Sequence, residues 1–399
     1  MPAESMFAAG LPAGSAMQLF ECEVCGQGVY FDNTFCTRCG HQLGFLPDRL
    51  EISALVPAGE AVGARGRPIP GGLWRVADEP DGRFYRQCRH YAVDAVCNWM
   101  VPHEEAEPFC RACRLNRTIP DLSVPGNARL WERLETEKRR LVYGLLRLGL
   151  SVVPRKNDPA GLAFDFLADT APEFREGGGV VTGHANGLIT INIAEADPAV
   201  RERMREAMAE PYRTILGHFR HESAHYYWDR LIRGTHWHEA FRERFGDERA
   251  DYDGALRRHY AHGPPADWQA SFVSAYASSH PWEDWAETWA HYLHIVDTLD
   301  TASAYNMDIV PAAGPSARLG AQGQLPAFDA YATASFDLLL EHWLPLVSAL
   351  NSLNRSMGHP HVYPFVLTAT AIAKLAFVHQ VIQDFRTATR AQPVGATGT

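Results

Sequence analysis

The most informative pattern in the sequence is H-E-S-A-H at residues 221–225. On an α-helix, two residues four positions apart lie about 40° apart around the axis, so His221 and His225 can reach one metal ion. Glu222 then points toward a water molecule beside that ion. Residues 212–232 contain no proline and place apolar side chains at helical spacing. We therefore predict a catalytic zinc site in the middle of a helix, with the two histidines as ligands and Glu222 as general base.

An acidic pair downstream can complete this zinc site, which needs a third protein ligand. Residues 281–290 begin with a proline that suits a helix start, and Glu283 and Glu287 follow on one face. This resembles zinc peptidases of the glutamate-ligand type, in which a second helix carries E-x-x-x-D or E-x-x-x-E. The resemblance implies that Glu283 binds the metal and that Glu287 orients a ligand histidine. Three histidines remain as alternative third ligands, which would imply a different subclass: His280, His291 and His294.

A tyrosine, Tyr276, precedes Glu283 by seven residues. Lethal-factor-like zinc peptidases are similar in placing a transition-state tyrosine at this spacing. That resemblance implies that the Tyr276 phenol donates a hydrogen bond to the developing oxyanion. A half-buried structural tyrosine is the competing interpretation, and Tyr226 and Tyr227 are alternatives for the same role. His218, one turn before the motif, is interpreted first as a core histidine and second as a support for the site.

The eight cysteines fall into two sets, and the first is regular. It comprises Cys22, Cys25, Cys36 and Cys39. These form two C-x-x-C-G knuckles ten residues apart, a spacing that lets four thiolates surround one tetrahedral zinc ion. The glycine after each knuckle permits a tight turn. We predict a structural zinc ribbon, because the paired spacing and the lack of a secretory signal both disfavour disulfides.

The second set comprises Cys88, Cys97, Cys110 and Cys113. One C-x-x-C is here preceded by two isolated cysteines. A second four-thiolate zinc site is the economical interpretation; His90 or His103 could replace one thiolate, and free buried thiols are the competing interpretation. A site filled by four protein ligands has no open position for a substrate, so both sets are predicted to be structural. The expected cofactors are thus one catalytic and two structural zinc ions.

Composition excludes several classes of protein. The chain has 399 residues, of which 46% are hydrophobic, so it can bury a core in two or three globular units. A net charge of -10 argues against nucleic acid as the main partner, since binding to phosphates needs a basic surface. No stretch is long and apolar enough to span a bilayer. We expect a soluble, cytoplasmic protein with no membrane partner.

The predicted fold class is α+β, with small N-terminal zinc-ribbon modules followed by a mainly helical domain with a small β-sheet. The predicted boundaries are 1–16 for a disordered leader, 17–46 for the zinc ribbon, 47–119 for a linker and the second zinc module, 120–390 for the catalytic domain and 391–399 for a disordered tail. Within the segment 47–119, residues 54–72 are rich in Gly, Pro and Ala and are interpreted as the linker.

Periodicity places the elements of the helical domain. Helical spacing occurs at 127–148, 236–245, 249–261, 283–303, 328–356 and 366–389, and a Gly/Ala/Pro loop is expected at 312–323. Strands are expected at 163–167, 179–182 and 188–193, the last two joined by a hairpin at Asn186 and Gly187. In zinc peptidases an edge strand often holds an extended substrate, so residues 188–193 are a candidate binding edge. An ordinary edge strand is the alternative.

Over nearly its full length, the chain resembles the bacterial family of putative zinc-binding metallo-peptidases that carry an N-terminal zinc ribbon. The segments that carry the resemblance are both C-x-x-C-G knuckles and residues 97–99, 110–120, 217–222 and 281–287. The resemblance implies a gluzincin-like catalytic domain, of the type with an H-E-x-x-H helix and a downstream glutamate ligand, fused to zinc modules.

Three functions remain open at this point. The first is a zinc-dependent peptidase that hydrolyses a peptide or isopeptide bond, with a peptide or protein substrate and a protein partner recruited by the zinc ribbon. The second is a zinc amide hydrolase that acts on a small or non-protein amide. The third is a non-catalytic binding or scaffold protein, which the acidic charge disfavours if the partner is nucleic acid.

Overall fold

The computed structural model describes residues 19–60, 70–169, 182–207, 214–307, 309 and 329–391. The predicted leader at 1–16, the loop at 312–323 and the tail beyond 391 lie outside the described residues, as do residues 61–69 of the predicted linker and 179–181 of a predicted strand. Among the helices in these ranges, none has the length and apolar character needed to cross a membrane.

The N-terminal part of the described chain is built from short antiparallel strands. They are β1 (Phe20–Glu21), β2 (Gly28–Val29), β3 (Gln42–Leu46), β4 (Glu51–Gly59), β5 (Leu73–Val76), β6 (Phe84–Gln87) and β7 (Met100–Pro102), with a short helix α1 (Arg89–Ala92) between β6 and β7. β1 pairs with β2, and the other five form one sheet in the order β3-β4-β5-β6-β7. The boundary predicted at residue 47 lies in the turn between β3 and β4.

The linker prediction is wrong for residues 54–59, which belong to β4. This strand lies between β3 and β5, so the small side chain of Ala54 is buried in a close-packed sheet. The proline that suggested a linker, Pro57, sits where the β4–β5 register shifts, and such irregularities accommodate a residue without an N–H group. Composition alone did not distinguish this strand from a loop.

A second sheet precedes the helix that carries the two histidines. Its strands are β8 (Asn116–Thr118), β9 (Ala163–Leu167), β10 (Gly183–Ala185) and β11 (Leu188–Asn192), in the order β10-β11-β9-β8. β9 is parallel to both β8 and β11, whereas β10 and β11 form an antiparallel hairpin. Asn186 and Gly187 at its turn have φ values of 47° and 84°, which an Asn-Gly pair adopts readily. The strand predicted at 163–167 and the hairpin turn are confirmed.

The prediction that residues 188–193 form a substrate-binding edge is wrong. β11 lies inside the sheet, between β10 and β9. The parallel pairing with β9 joins residues more than 20 positions apart, and sequence periodicity carries no information about such pairing. Among the described strands, β10 is the edge on this side of the sheet.

Eight longer helices form the rest of the described chain. They are α2 (Asn127–Arg147), α3 (Pro198–Ala207), α4 (Ile215–Leu231), α5 (Trp237–Phe245), α6 (Tyr252–His262), α7 (Pro281–Ala304), α8 (Phe336–Ser356) and α9 (Ala369–Ala391). The predicted helices are present, with shifted ends. α8 begins at Phe336 and not at 328, because the side chain of Ser335 accepts the N–H of Leu338 at 3.2 Å and caps the helix there.

The helix with the histidine motif, α4, is central to the fold. Thr214 caps it by accepting the N–H of Gly217 at 2.9 Å. Residues 219–228 are all buried, so this part of α4 lies inside the domain. Trp285 of α7 donates its indole N–H to the carbonyl oxygen of Ala224 at 2.9 Å. α7 is thereby held against the middle of α4, beside the motif.

The N-terminal sheet packs onto the helical domain through an aromatic cluster. The ring centroid of Phe45 lies 4.4 Å from that of Trp99 and 5.8 Å from that of Tyr143 on α2. Phe31, between β2 and β3, contacts Tyr143 at 5.3 Å. All four rings are buried in one continuous core, so the zinc-ribbon part and the helical domain share a hydrophobic interior.

A buried arginine at the end of α2 provides a test of this packing. Arg147 donates to the Tyr143 hydroxyl at 2.9 Å and contacts Asp329 at 3.1 Å and Asp300 at 3.4 Å. Because Asp300 is itself buried, we expect Arg147→Met to remove a counter-charge from a buried carboxylate and to lower the free energy of unfolding by about 3–5 kcal/mol. Urea unfolding measures the change. Arg249→Met, at an exposed ion pair with Asp247, is the control and should change stability little; equal effects would contradict the prediction.

Candidate metal centres

The first four cysteines converge as a metal site requires. The Sγ atoms of Cys22 and Cys39 are 3.7 Å apart, and those of Cys25 and Cys36 are 3.6 Å apart. A disulfide would need about 2.05 Å, whereas thiolates at 2.3 Å around a tetrahedral zinc lie roughly 3.8 Å from one another. A backbone hydrogen bond from Cys39 lowers the pKa of Cys36 to about 6, whereas burial raises the pKa of Cys22 to about 12 and also raises that of Cys25. The donor set therefore fits zinc.

The second four cysteines form a similar but fully buried cluster. Cys97 Sγ lies 3.8 Å from Cys110 Sγ and 3.7 Å from Cys113 Sγ, and Cys88 completes the group. Backbone N–H groups at 3.4 Å donate to the sulfurs of Cys88, Cys97 and Cys110. His90, one of the two histidines considered as a substitute ligand, instead pairs its Nδ1 with Asp94 at 2.7 Å. These separations again fit four thiolates around one zinc ion.

The second cluster lies at the junction between the two parts of the chain. Cys113 starts the short turn that leads directly into β8, the strand that pairs with β9. Its Sγ is 3.7 Å from Glu135 on α2, a fully buried carboxylate. Glu135 also accepts hydrogen bonds from Lys138 at 2.7 Å and from Asn116 at 2.8 Å. This network ties the cysteines to both α2 and the four-stranded sheet.

The third site joins α4 and α7. One ligand atom each from His221, His225 and Glu283 lie within 4.8 Å of one another. His221 Nε2 is 2.9 Å from Glu283 Oε2, and His225 Nε2 is 3.7 Å from Glu283 Oε1. Ligands at 2.0–2.1 Å around a tetrahedral zinc are separated by roughly 3.3 Å, so these three side chains can hold zinc with small adjustments.

The surroundings of the third site orient its ligands. Glu287 accepts from His221 Nδ1 at 2.7 Å, and Ser274 donates to the other oxygen of Glu287 at 2.6 Å. Tyr252 donates to Glu283 Oε1 at 2.8 Å. Burial alone lowers the pKa of His221, but its bonds to the two glutamates raise it well above the usual value. A position that favours positive charge on an imidazole also favours a divalent cation.

A second chain of contacts reaches Glu222. His218 lies between two carboxylates, with Nδ1 at 2.8 Å from Glu195 and Nε2 at 3.2 Å from Glu222. Burial alone raises the pKa of Glu222, but the hydrogen bond with His218 and the nearby imidazoles lower it to about 2. Glu222 is therefore ionised at neutral pH and can accept a proton. His218 was interpreted either as a core histidine or as a support for the site. Its contact with Glu222 agrees with the second interpretation.

The structure also places the remaining candidates. The ring centroid of Tyr276 lies 5.8 Å from that of His221, and burial raises the pKa of its phenol, which stays protonated. Tyr227 instead donates to the carbonyl oxygen of Ser151 at 3.0 Å, far along the chain. The alternative third ligands have other contacts: His280 Nδ1 accepts the N–H of Trp282, His291 Nδ1 bonds to Tyr363, and His294 Nδ1 bonds to Arg220.

A cavity of about 1130 Å³ opens beside the third site. Its described walls include His221, Glu222 and Tyr276, together with Glu195 and residues 268–270 and 272–275. Neither Tyr226 nor Tyr227 is among the described residues that line it. Ligand sites commonly have volumes of 300–1,000 Å³, so this cavity can accept several residues of a peptide or a molecule of similar size.

Four contributors to the site were not predicted from the sequence: Glu195, Tyr252, Ser274 and His184. The His184 ring on β10 stacks 5.7 Å from that of His225. Each of these residues comes from a turn or element distant in sequence from the residue it supports, and none belongs to a recognisable spacing pattern. Among the residues that support the site without binding metal, His218 had a signal in the sequence, because it lies one helical turn before His221.

Comparison with known proteins agrees with this arrangement. The fold and sites define a zinc protein in which a cysteine-rich N-terminal part joins a helical domain with a cluster of two histidines and a glutamate. Residues 19–124 match a zinc-ribbon domain, and residues 127–381 match the family described as "putative zinc-binding metallo-peptidase". The latter match covers more than half of the chain, which therefore belongs to this metallo-peptidase family.

Relatives occur in mycobacteria. One protein from Mycobacterium bovis and one from each of two strains of Mycobacterium tuberculosis are 41% identical to this chain over 377 residues. Each alignment covers 92% of this chain and 96% of the relative, and each relative is named only as an uncharacterized protein. No solved structure matches the chain.

Proposed function

We propose that this chain is a zinc-dependent peptidase of the H-E-x-x-H type with a glutamate third ligand. The observation that supports this most strongly is the convergence of His221, His225 and Glu283 beside a large cavity that is lined by His221 and Glu222. Three protein ligands would leave a coordination position open on that side, as catalytic zinc sites require. The two four-cysteine sites would hold structural zinc.

Each side chain has a distinct role in the proposed reaction. Zinc, when bound, supplies a Lewis acid that makes a nearby water molecule acidic enough to attack at neutral pH. Glu222 accepts the proton of the attacking water and returns it to the leaving amine. Glu287 and Tyr252 position His221 and Glu283 through the hydrogen bonds at 2.7 Å and 2.8 Å. His218 holds the Glu222 carboxylate through the contact of its Nε2 at 3.2 Å.

The free edge of β10 is the proposed support for an extended substrate backbone. β10 lies at the outside of its sheet among the described strands, and its His184 stacks against the ligand His225. A peptide paired with Gly183–Ala185 would therefore pass close to the metal. Main-chain hydrogen bonds of this kind give affinity without demanding a particular sequence.

Cleavage of a mixed peptide library by the zinc-loaded protein tests the function. New termini identified by mass spectrometry, absent from a chelator-treated sample, are the expected result. A second candidate, hydrolysis of small non-protein amides, is separated by adding simple N-acyl amino acid amides to the same assay. The size of the cavity favours peptides, and cleavage of the small amides alone would overturn the peptidase proposal.

Metal content provides an independent prediction. We expect about three zinc ions per chain, of which one is removed readily by a chelator, because the third site borders a large cavity and each cysteine site is closed by four protein ligands. His225→Ala should reduce the content by about one ion and leave the cysteine sites filled. Mass spectrometry measures the number of zinc ions per chain in the wild-type protein and in the variant. Uniform loss of all zinc at one rate, or no change in the variant, would contradict the assignment.

Tyr276→Phe should lower kcat by about 100-fold or more with little change in KM. The phenol is protonated and close to His221, so it can donate to the oxyanion that forms only in the transition state. The kinetics of a peptide taken from the library measure this. Tyr226→Phe, which removes a buried hydroxyl outside the cavity lining, is the matched control. Similar kcat values for the two variants would exclude the role of Tyr276.

A further inference from the structure

The cavity beside the third site continues well past the metal ligands. It runs between the first turns of α4 and the middle of α7, where Gly217 and Ala290 are small residues in its walls. A Cβ atom at Gly217 would lie 3.4 Å from His294 Nε2, so the two helices approach closely there. Residues 364–366 and 368 cover this end, and the Phe365 ring centroid lies 4.4 Å from that of His291.

This end of the cavity carries no ionised group among the described residues that line it. No lysine or arginine appears in the described lining. The carboxylates of Glu195, Glu222 and Glu287 are at the metal end, and each has a partner in His218 or His221. Burial lowers the pKa of His291 to about 4, so its imidazole is neutral at physiological pH.

The other groups at this end are mainly apolar. They include Phe272, Val273, Ala290, Phe365 and Val366. A charged side chain entering here would lose its hydration without gaining a counter-ion, which is unfavourable. An apolar side chain would instead be removed from water and would gain packing contacts.

We propose that this end of the cavity binds a bulky uncharged side chain of the substrate, aromatic or branched aliphatic, next to the bond that is cleaved. The proposal rests on the peptidase function above and adds the substrate class. The side chain lies between α4 and α7, with Ala290 limiting its size and Phe365 forming the apolar cover. Substrates with Asp, Glu, Lys or Arg at this position are excluded by the cost of burying their charge.

Binding of hydroxamates, which attach to zinc without being hydrolysed, tests the proposal separately from turnover. The probes are acetohydroxamate and four hydroxamates of N-acyl amino acids, which carry benzyl, isobutyl, carboxymethyl or aminobutyl side chains. Isothermal titration of the zinc-loaded chain should give a Kd at least about tenfold lower for benzyl and isobutyl than for the two charged probes. Equal affinities, or a preference for a charged probe, would overturn the proposal.

Two variants locate the binding position. Ala290→Leu narrows the cavity and should weaken benzyl binding by about tenfold or more, while acetohydroxamate, which has no side chain to place there, should bind as before. Phe365→Ala removes the apolar cover and should reduce the benzyl preference, which keeps the test available if the first variant does not fold. Leu353→Ala, at an exposed position of α8 outside the cavity lining, is the control.

The same experiment distinguishes failure of the two proposals. If acetohydroxamate binds but neither cavity variant changes the benzyl preference, the side-chain pocket is wrong and the open metal site stands. If no hydroxamate binds to protein that carries about three zinc ions, the third site has no accessible position, and the peptidase proposal fails together with the substrate class.

Discussion

Glu222→Gln is expected to abolish turnover while the protein keeps its zinc and its fold. In the wild-type protein His218 Nε2 lies 3.2 Å from the Glu222 carboxylate. The substitution is nearly isosteric, so the amide oxygen of the variant can still accept this hydrogen bond. The amide cannot accept a proton from water at neutral pH. Because general base catalysis contributes about 10²–10⁴-fold, kcat should fall by roughly 1,000-fold, with KM little changed.

Kinetics and metal analysis of the same preparation test this prediction. Glu239→Gln, at an exposed position in the first turn of α5, makes the same chemical change away from the cavity and should retain wild-type turnover. Cleavage by Glu222→Gln at the wild-type rate would remove Glu222 from the mechanism. Loss of zinc from the third site would mean that the carboxylate supports the metal and not the proton transfer.

Cys113→Ser is expected to destabilise the whole helical domain, although the residue is remote in sequence from the histidine motif. Cys113 is buried, contacts Glu135 of α2 and leads directly into β8, so loss of its zinc disturbs the sheet that precedes α4. A structural metal contributes directly to folding, and we expect the main unfolding transition to lose about 5 kcal/mol or more.

Cys25→Ser provides the matched comparison at the first cysteine site. Cys25 is half-buried, and β1 and β2 beside it form a separate two-stranded sheet. Calorimetry should therefore show a smaller change in the main transition for Cys25→Ser than for Cys113→Ser, with about one zinc ion lost in each variant. Equal destabilisation by both substitutions would show that the two sites are equally integrated into the core.

The helices could be predicted largely from sequence, because their signals are local. The α2 and α7 predictions, at 127–148 and 283–303, differ from the observed ends by no more than two residues. Errors occurred where a cap decides the boundary, as at Ser335 before α8. The strand at residues 54–59, which was misassigned as a linker, has no such local signal. Its Ala and Gly residues suit a strand only inside a packed sheet.

Strand order and the supports of the site could not be predicted in the same way. The interior position of β11 depends on its pairing with β9, and the contacts from Glu195 and Tyr252 depend on how distant segments pack. Nothing in the local spacing of these residues differs from that of ordinary core or surface residues. The number of competing long-range pairings is too large for periodicity alone to select one.

The sequence by itself determined the pairs of groups that lie within one helical turn or one tight turn. His221 and His225 face one direction because of the 3.6-residue helical repeat, and each C-x-x-C brings two sulfurs together through a local turn. Only the tertiary structure decided which further ligands complete each of these metal sites. Glu283 reaches the histidines from 58 positions beyond His225 only because α7 packs along α4, and this packing depends on burial over the whole domain.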